Sequence, residues 1–447
     1  MQGGRSLLSG WVREHEAPAA LPGESRALLF LLALTCVMSL LWAATAHRVP
    51  DEMSYFNEIL ELATAGETAG HSGHVVGVFA WLGVASVKAF GFFGASPLLA
   101  VRLMGVLSVV VVGALAYWTA RLAMPAWPFA RLAIVPLVTL NPMFTFMGAS
   151  ANSDSMLNVW AALLFAGLVG LLRKGPTGAV VFAAVIGLVL GALTKERIWV
   201  LAPLIVLALL FYVGGMFGSG VLRKNRAAQA EVGDGEGFWS RNPSGSEMVV
   251  VGALIIAAGL FVPRVFGYLV QQSIPLASGP FPRLDSLEQV WAWLQRRGGS
   301  WLLPTAWANF GYLDVLAPRL VYRFQHAVLV LGTGSLVLVG LRETWESVRG
   351  RRLTSFLLRP GLHISVLSAV AIVLVVYFVA QYEMVLQLSS QGRYLFIASV
   401  PVAILLLRGL FGLVPHRVHA ALTCVITLAL LAVNWYCLFY VVIPHYY

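Results

Sequence analysis

Long uninterrupted apolar runs constrain the fold of this chain more than any other feature of its sequence. One run begins at Ala27 and ends with Ser39–Ala46, and another covers Leu98–Trp118. Each approaches the ~20 residues that cross the ~30 Å hydrocarbon core of a bilayer. Only 11% of the residues are charged, whereas a soluble globular chain carries about 25%. The chain therefore cannot cover a water-facing surface of its size, and the sequence predicts an all-α, polytopic transmembrane helical bundle.

Lysine and arginine orient the predicted helices, because cytoplasmic loops are enriched in both. Arg5, Arg13 and Arg26 precede the first apolar run and place the N-terminus inside. Alternating the runs from there predicts about eleven spans, within roughly ten to twelve, and leaves the basic clusters mostly on the cytoplasmic side. The net charge of +10 reflects this bias, so no nucleic-acid partner is expected. The sequence predicts a multi-pass protein of the cell (inner or plasma) membrane.

The order of apolar and polar segments divides the chain into four parts. They are a cytoplasmic N-terminal segment (1–26), a transmembrane core with a long first outer loop (27–213, loop 47–97), a flexible cytoplasmic loop (214–247), and C-terminal transmembrane helices with a second outer loop (248–447, loop 271–323). Interfacial helices are expected in the outer loops. Cys36, Cys424 and Cys437 lie in or at the ends of apolar runs, and their spacing predicts neither a disulfide framework nor a metal site.

Two acidic motifs lie at the predicted outer face. Asp51-Glu52 follows the first span, and Asn152-Ser153-Asp154 lies between the third and fourth spans. Carboxylates this close to hydrocarbon are costly, and they are functional candidates for that reason. The alternative interpretation of both motifs is a helix N-cap, a role that Asp and Asn favour.

Two basic motifs share that face, although the positive-inside rule keeps it poor in lysine and arginine. They are Thr194-Lys195-Glu196-Arg197 and Gln391-Gly392-Arg393-Tyr394. One interpretation is an anion site, since lysine and arginine bind phosphate oxygens directly. The alternatives are an ion pair that closes a helix end for the first motif, and anchoring at the membrane interface for the second.

Three further loop residues are candidates on their chemistry alone. His71 and His74 are separated by two residues in a segment that also holds Gly70 and Gly73. That spacing is short for two ligands on one helix face, so the sequence does not indicate a metal site, although it leaves a divalent ion open. Asp314 is the acidic residue that ends the segment Asn309–Asp314 in the second outer loop.

The order of these motifs resembles the GT-C superfamily of glycosyltransferases, which use polyprenyl-phosphate sugars. The segment Pro50–Phe56 is similar to the acidic signature that follows the first helix, and His71–Phe90 is similar to the His-containing segment and interfacial helix that come next. Arg102 matches a common position at the start of the second span. Asn141–Asp154 looks like the second acidic motif, and Leu193–Lys195 looks like the Thr-Lys pair that ends a later helix.

Two other stretches narrow the resemblance to a bacterial branch of predicted membrane proteins of unknown function. They are Trp307–Asp314 and Gln391–Tyr394. The resemblance covers about residues 25–415, and the motifs share both their order and their predicted outer placement. The chain departs from the pattern at His71-Ser72-Gly73-His74, where many relatives carry His-Pro-Pro.

This resemblance implies a membrane glycosyltransferase that moves a sugar, with inversion, from a polyprenyl-phosphate donor to an extracytoplasmic cell-envelope glycan, lipid or protein acceptor. The implied roles are catalysis for Asp51 (as the base), Glu52 and Asp154, donor-phosphate binding for Lys195, Arg197, Arg393 and Arg102, and substrate contacts for Asn152, His71, His74, Asp314 and Tyr394. Membrane lipids are expected partners, and no cofactor is predicted beyond the divalent ion left open above. The alternatives are a transporter or flippase, which expects polar residues near mid-bilayer in broken helices, and a non-catalytic scaffold of an envelope-polysaccharide complex.

Overall fold

The computed structural model describes residues 21–45, 51–65, 77–227, 287–311, 314–350, 357–386 and 391–447. Helices dominate these ranges, which confirms the predicted helical bundle. The strands within them form a single small hairpin, β1 (Asn309–Phe310) and β2 (Val315–Leu316), in which Asn309 lies opposite Leu316. The sequence analysis did not predict this hairpin, because two-residue strands leave no alternating pattern to detect.

The helices follow one another closely along the described parts of the chain. In the first half they are α1 (Glu24–Thr45), α2 (Glu52–Ala65), α3 (Val78–Gly91), α4 (Pro97–Ala123), α5 (Pro128–Thr139), α6 (Pro142–Gly148), α7 (Ser153–Lys174), α8 (Gly178–Thr194), a 3₁₀ helix (Glu196–Leu201) and α9 (Pro203–Ala227). In the second half they are α10 (Leu287–Trp293), a π-helix (Leu294–Leu302), α11 (Leu303–Trp307), α12 (Arg319–Arg349), α13 (Pro360–Leu386), a 3₁₀ helix (Gly392–Ala398), α14 (Ser399–Leu413), a 3₁₀ helix (His416–Val418), α15 (His419–Tyr436), a π-helix (Cys437–Val442) and α16 (Ile443–Tyr446).

Eight helices in the described ranges are long and apolar enough to cross a membrane, and the bent pair α5–α6 raises this number to nine. The predicted fifth span corresponds to α8, an apolar helix of 17 residues. The predicted seventh span, about residues 248–270, lies outside the described residues. The count of about eleven spans therefore stays a prediction.

One predicted boundary differs from the structure. The sequence analysis ended the sixth span at Val213 and began a flexible loop at Gly214, but α9 continues to Ala227. Glycine lowers helix propensity without forbidding a helix, and the segment Leu222–Ala227 contains residues that favour one. The helix therefore runs past the predicted start of the cytoplasmic loop.

A sharp bend separates α5 from α6. The two helices meet at 64°, because Pro142 cannot continue the hydrogen-bonding ladder of α5. Asn141 caps α6 by accepting a hydrogen bond from the backbone N–H of Phe144 at 3.1 Å. Across the bend, the buried Asn434 donates from Nδ2 to the carbonyl of Leu140 at 3.0 Å. These amide side chains replace the hydrogen bonds that the break removes, so α6 has a defined direction.

Close packing of α7 against α8 brings two motifs to the same end of the bundle. A side-chain carbon at Gly187 would lie 2.5 Å from the backbone nitrogen of Leu164, and one at Gly167 would lie 2.6 Å from that of Ala184. The helices can approach this closely only because both positions lack a side chain. As a result, the start of α7 lies beside the end of α8, where Lys195 follows.

Hydrogen bonds and an ion pair connect α1, α4 and α5 at the end of the bundle opposite Asp154. Glu24 accepts hydrogen bonds from Arg131 at 3.0 Å and from Tyr117 at 2.8 Å. Arg173, at the end of α7, donates to the carbonyl of Ala123 at 3.1 Å. Arg131, near the start of α5, and Arg173, at the end of α7, therefore both lie at the end of the bundle that is remote from Asp154.

Candidate active site

Asp51 lies immediately before α2 in an unusual backbone conformation. Its φ is +62°, and it is the one non-glycine residue with a positive φ in the described ranges. Aspartate tolerates this left-handed region better than most residues. The side chain is 55% exposed, and its Oδ2 accepts a hydrogen bond from Nη2 of Arg393 at 2.7 Å. An exposed carboxylate is thus held by a cation from the distant segment after α13.

Asp154 is the second residue of α7, and it is buried among three cations. The Nζ of Lys195 lies 2.5 Å from its Oδ1, and Nη1 of Arg197 lies 3.7 Å from the same oxygen. The other oxygen, Oδ2, lies 3.6 Å from Nε of Arg393. Asn152 caps the helix and accepts a hydrogen bond from the backbone N–H of Asp154 at 2.8 Å. The predicted N-cap is therefore Asn152, which leaves the Asp154 carboxylate for the cations.

Aromatic rings lie beneath the cations. The Nζ of Lys195 also donates to the hydroxyl of Tyr55 at 3.2 Å and lies 5.5 Å from the centre of its ring. The guanidinium of Arg197 lies 3.8 Å from the ring centre of Tyr394, and that of Arg393 lies 5.4 Å from it. Such contacts favour a cation without neutralising it.

We call Asp51, Asp154, Lys195, Arg197 and Arg393 the charged cluster. Its members come from five separate stretches of the fold: the starts of α2 and α7, the end of α8, and the two 3₁₀ helices that follow residues 195 and 391. Three cations meet two carboxylates, so the cluster carries an excess of one positive charge. Burial lowers the pKa of Lys195 below its ordinary value, against the opposing effect of Asp154. Burial also raises the pKa of Tyr55 to about 12, which keeps its hydroxyl protonated at neutral pH.

The backbone around Arg393 is fixed by its neighbour Gly392. The N–H of Gly392 donates to Oγ1 of Thr305 at 2.8 Å, and a side-chain carbon at Gly392 would lie 2.1 Å from the backbone nitrogen of Ala306. Asn141 donates from Nδ2 to the carbonyl of Ala306 at 3.3 Å. Glycine is therefore required at position 392, and α11 connects Arg393 to the start of α6.

Glu52 and Arg102 form a buried pair beside the cluster. Arg102 donates to Glu52 from Nε at 2.8 Å and from Nη2 at 2.7 Å, and it donates from Nη1 to the carbonyl of Ala43. The backbone N–H of Ala151 also donates to Glu52 Oε1 at 3.0 Å. The pair therefore ties α1, α2 and α4 to the loop that precedes Asp154. The structure gives Glu52 and Arg102 partners outside the charged cluster, although the sequence analysis grouped them with it.

Of the five remaining candidates, the structure describes three, namely Asn152, Tyr394 and Asp314. Asn152 caps α7, and Tyr394 lies under Arg197. Asp314 is exposed in the turn of the hairpin, and its carboxylate lies against Gly311, where there is no room for a side chain. His71 and His74 lie outside the described residues. Tyr55 was missed as a site residue, although its position four residues after Asp51 in a helical segment places both on one helix face.

Within the described ranges, no group of three or more His, Cys, Asp or Glu side chains is arranged to hold a metal ion. The two carboxylates of the charged cluster, those of Asp51 and Asp154, both face Arg393. The charged cluster thus places three cations around the enclosed carboxylate of Asp154, with the exposed carboxylate of Asp51 at their edge.

Comparisons with known proteins give one family and several structures. A family model described as "Predicted membrane protein (DUF2142)" matches residues 74–406. ArnT from Cupriavidus metallidurans bound to undecaprenyl phosphate is 15% identical, with a TM-score of 0.43, over 93% of this chain and 73% of ArnT. An oligosaccharyltransferase from Archaeoglobus fulgidus, in complex with Zn and sulfate, is 14% identical, with a TM-score of 0.48, over 91% of this chain.

The archaeal oligosaccharyltransferase AglB from Archaeoglobus fulgidus, in complex with an inhibitory peptide and a dolichol-phosphate, is 14% identical with a TM-score of 0.47 over 93% of this chain. This chain spans about half of both archaeal structures, 52% and 56% of their lengths. A comparison with curated proteins gives no match.

Proposed function

The chain belongs to the family described as "Predicted membrane protein (DUF2142)", and from this premise we propose that it is a membrane glycosyltransferase of the GT-C type. It transfers a sugar from a polyprenyl-phosphate donor to a glycan, lipid or protein acceptor of the cell envelope, on the extracytoplasmic face. The observation that carries the proposal is the charged cluster: three cations from separate elements surround Asp154, and the exposed carboxylate of Asp51 lies at their edge.

The cations supply the donor-phosphate subsite. Arg393 is 4% exposed, yet its Nη1 has no hydrogen-bond partner among the described residues. Leaving a buried guanidinium N–H unpaired is costly, and a phosphate oxygen is the acceptor that a guanidinium binds best. The excess positive charge of the cluster balances the single negative charge of a phosphodiester. Lys195 and Arg197 stabilise the further charge that develops on the phosphate as the glycosidic bond breaks.

Asp51 is the general base in this proposal. Its carboxylate is exposed to an incoming acceptor, whereas that of Asp154 is enclosed by the cations. The acceptor hydroxyl gives its proton to Asp51 and attacks the anomeric carbon, and the phosphate leaves on the opposite side with the electrons of the broken bond. A single displacement of this kind inverts the anomeric configuration. The leaving phosphate needs no general acid, because it is already a good leaving group.

A transporter would need its charged groups deeper in the bundle. The broken helix pair α5–α6 is a feature that transporters also use, but Arg131 is the one charged residue between Pro128 and Gly148 in the sequence. Arg131 pairs with Glu24 at the far end of the bundle. The charged cluster lies instead at helix ends, which favours chemistry on a membrane-anchored head group over passage through the bilayer.

The test is sugar transfer from a labelled polyprenyl-phosphate donor by purified protein. Asp51→Asn is expected to fold, because asparagine also tolerates the left-handed conformation, and to lose about 10²–10⁴-fold in rate. Glu61→Gln is the matched control, since it removes an exposed carboxylate from the same helix. Transfer by the Asp51→Asn protein within about threefold of the parent would remove Asp51 as the base.

A further inference from the structure

Tyr55 contacts two members of the charged cluster, Asp51 through its backbone and Lys195 through its hydroxyl. It lies on α2, where its backbone N–H donates to the carbonyl of Asp51 at 3.2 Å. Its hydroxyl accepts a hydrogen bond from Nζ of Lys195 at 3.2 Å, and its ring lies against that of Phe79 with centres 5.7 Å apart. The residue thus connects the segment that carries the base to the lysine beside the phosphate subsite.

The Lys195 ammonium has three N–H donors, and the structure gives acceptors for two of them. One is Oδ1 of Asp154 at 2.5 Å, and the other is the hydroxyl of Tyr55. Because the donors of an ammonium are tetrahedral, two fixed acceptors determine the direction of the third N–H. With Asp154 alone, the ammonium can rotate about one contact, and the third N–H has no defined direction.

The hydroxyl contact also favours the charged form of Lys195. Burial disfavours the ammonium, and Arg197 and Arg393 add repulsion, while Asp154 and the Tyr55 oxygen stabilise it. These groups come from α2, α7 and the two 3₁₀ helices packed around the lysine. Removing the Tyr55 oxygen takes away one acceptor from an ammonium that is already disfavoured. The lysine must then lose its proton at a lower pH.

We infer that Tyr55 is a positioning residue of the phosphate subsite, whose hydroxyl directs the Lys195 ammonium at a phosphate monoester or diester head group. The inference rests on the proposed function, because it names the ligand of Lys195. The ring of Tyr55 has a separate role in packing against Phe79, so a substitution that keeps the ring separates the two.

The experiment measures binding of undecaprenyl phosphate to the purified full-length protein in lipid nanodiscs between pH 7.5 and 10.5. Tyr55→Phe is expected to weaken binding about 2- to 10-fold, the usual size of one net hydrogen bond, and to move the loss of binding at alkaline pH to a lower pH. Tyr377→Phe in α13 is the matched control, because the hydroxyl of Tyr377 accepts a hydrogen bond from Gln381 rather than from the charged cluster, and it leaves both quantities unchanged.

A double-mutant cycle with Lys195→Met separates positioning from packing. If the hydroxyl acts through Lys195, adding Tyr55→Phe to Lys195→Met causes no further loss of affinity for undecaprenyl phosphate. If the two residues act independently, the fold-losses in affinity multiply. A parent-like affinity and pH profile in Tyr55→Phe, or multiplication in the cycle, overturns the inference and leaves the proposed function standing. Failure of the parent protein to bind undecaprenyl phosphate overturns both.

Discussion

Asp51 and Glu52 are neighbours in the sequence but have opposite surroundings. The left-handed backbone at Asp51 turns its side chain out towards solvent and Arg393, while Glu52 faces inward to Arg102 and is 3% exposed. Glu52 has both oxygens engaged and can move little, so it holds α2 in place. Among the described residues, the Asp51 carboxylate pairs with Arg393 alone, and a phosphate that engages Arg393 would compete with it. Binding of the donor first is therefore expected to release Asp51 for the acceptor.

Substitutions of Arg393 test its role in binding the donor phosphate. Arg393→Ala should weaken donor binding about 10- to 150-fold, because a charge-assisted hydrogen bond contributes roughly 1.5–3 kcal/mol. Arg393→Lys should give an intermediate affinity, since it restores the charge without the paired donors of a guanidinium. Donor affinity is the measurement, and the acceptor KM, expected to change little, is the control. Unchanged donor affinity in both variants would identify Arg393 as a structural partner of Asp51 and Asp154.

Helix ends, rather than helix interiors, carry the site. The start of α2, the start of α7 and the end of α8 bring Asp51, Asp154 and Lys195 together. The Glu52–Arg102 pair connects the starts of α2 and α7 to α1 and α4, because Arg102 donates to the carbonyl of Ala43 while the N–H of Ala151 donates to Glu52. The geometry of the charged cluster therefore depends on this pair as much as on its own contacts.

Stability measurements can isolate the pair. Removing one partner of a buried ion pair leaves an uncompensated charge, so Glu52→Gln and Arg102→Met should each lower the free energy of unfolding by roughly 3–5 kcal/mol. The combined variant should recover much of this loss, because neither charge remains. Unfolding in a denaturing detergent is the measurement, and Arg342→Met, which breaks an exposed pair with Glu346, is the control with a small effect. Equal destabilisation by the double and single variants would contradict the prediction.

The sequence predicted that the five residues of the charged cluster share one face, but it did not predict how the charged residues pair. The residues of the charged cluster could be assigned to one face of the membrane, because hydropathy and basic clusters predict on which side each helix ends. They are Asp51, Asp154, Lys195, Arg197 and Arg393. The pairing of Glu52 with Arg102 could not be predicted, since it depends on the backbone conformation of the residue before it.

Other features left no signal of their own in the sequence. The bridging role of Asn434 depends on packing between α15 and the bend at Leu140, which lie far apart in the chain. The extension of α9 past Val213 was missed because the glycines after that residue lower helix propensity and obscure the helix-favouring residues of Leu222–Ala227.

At the scale of the whole molecule, the two ends of the bundle have different chemistry. One end carries the charged cluster, and the other carries Arg121, Arg131, Arg173 and Lys174. The family match to predicted membrane proteins confirms the branch to which the motifs pointed. The side on which the cluster lies follows from the positive-inside rule and is a prediction.

Cysteine labelling in intact cells tests that prediction with two positions that lie on either side of α8. In a background without Cys36, Cys424 and Cys437, the exposed Glu196→Cys should react with an impermeant maleimide. Lys174→Cys, exposed at the opposite end, should react only after permeabilisation. The reverse result would place the charged cluster in the cytoplasm and with it exclude an extracytoplasmic acceptor.

Helix α8 has a consequence for the bilayer around the protein. Its 17 residues rise about 25 Å, whereas the hydrocarbon layer of a typical membrane is ~30 Å thick. Its first end follows Arg173 and Lys174, which favour the head-group region. For α8 to serve as the predicted fifth span, either the membrane must thin locally, or Lys195 must lie a few ångströms below the opposite surface. Under the proposed function, the head group of a lipid-linked donor then reaches Lys195 from within its own leaflet, and we expect the rate of transfer to depend on the acyl-chain length of the surrounding lipids.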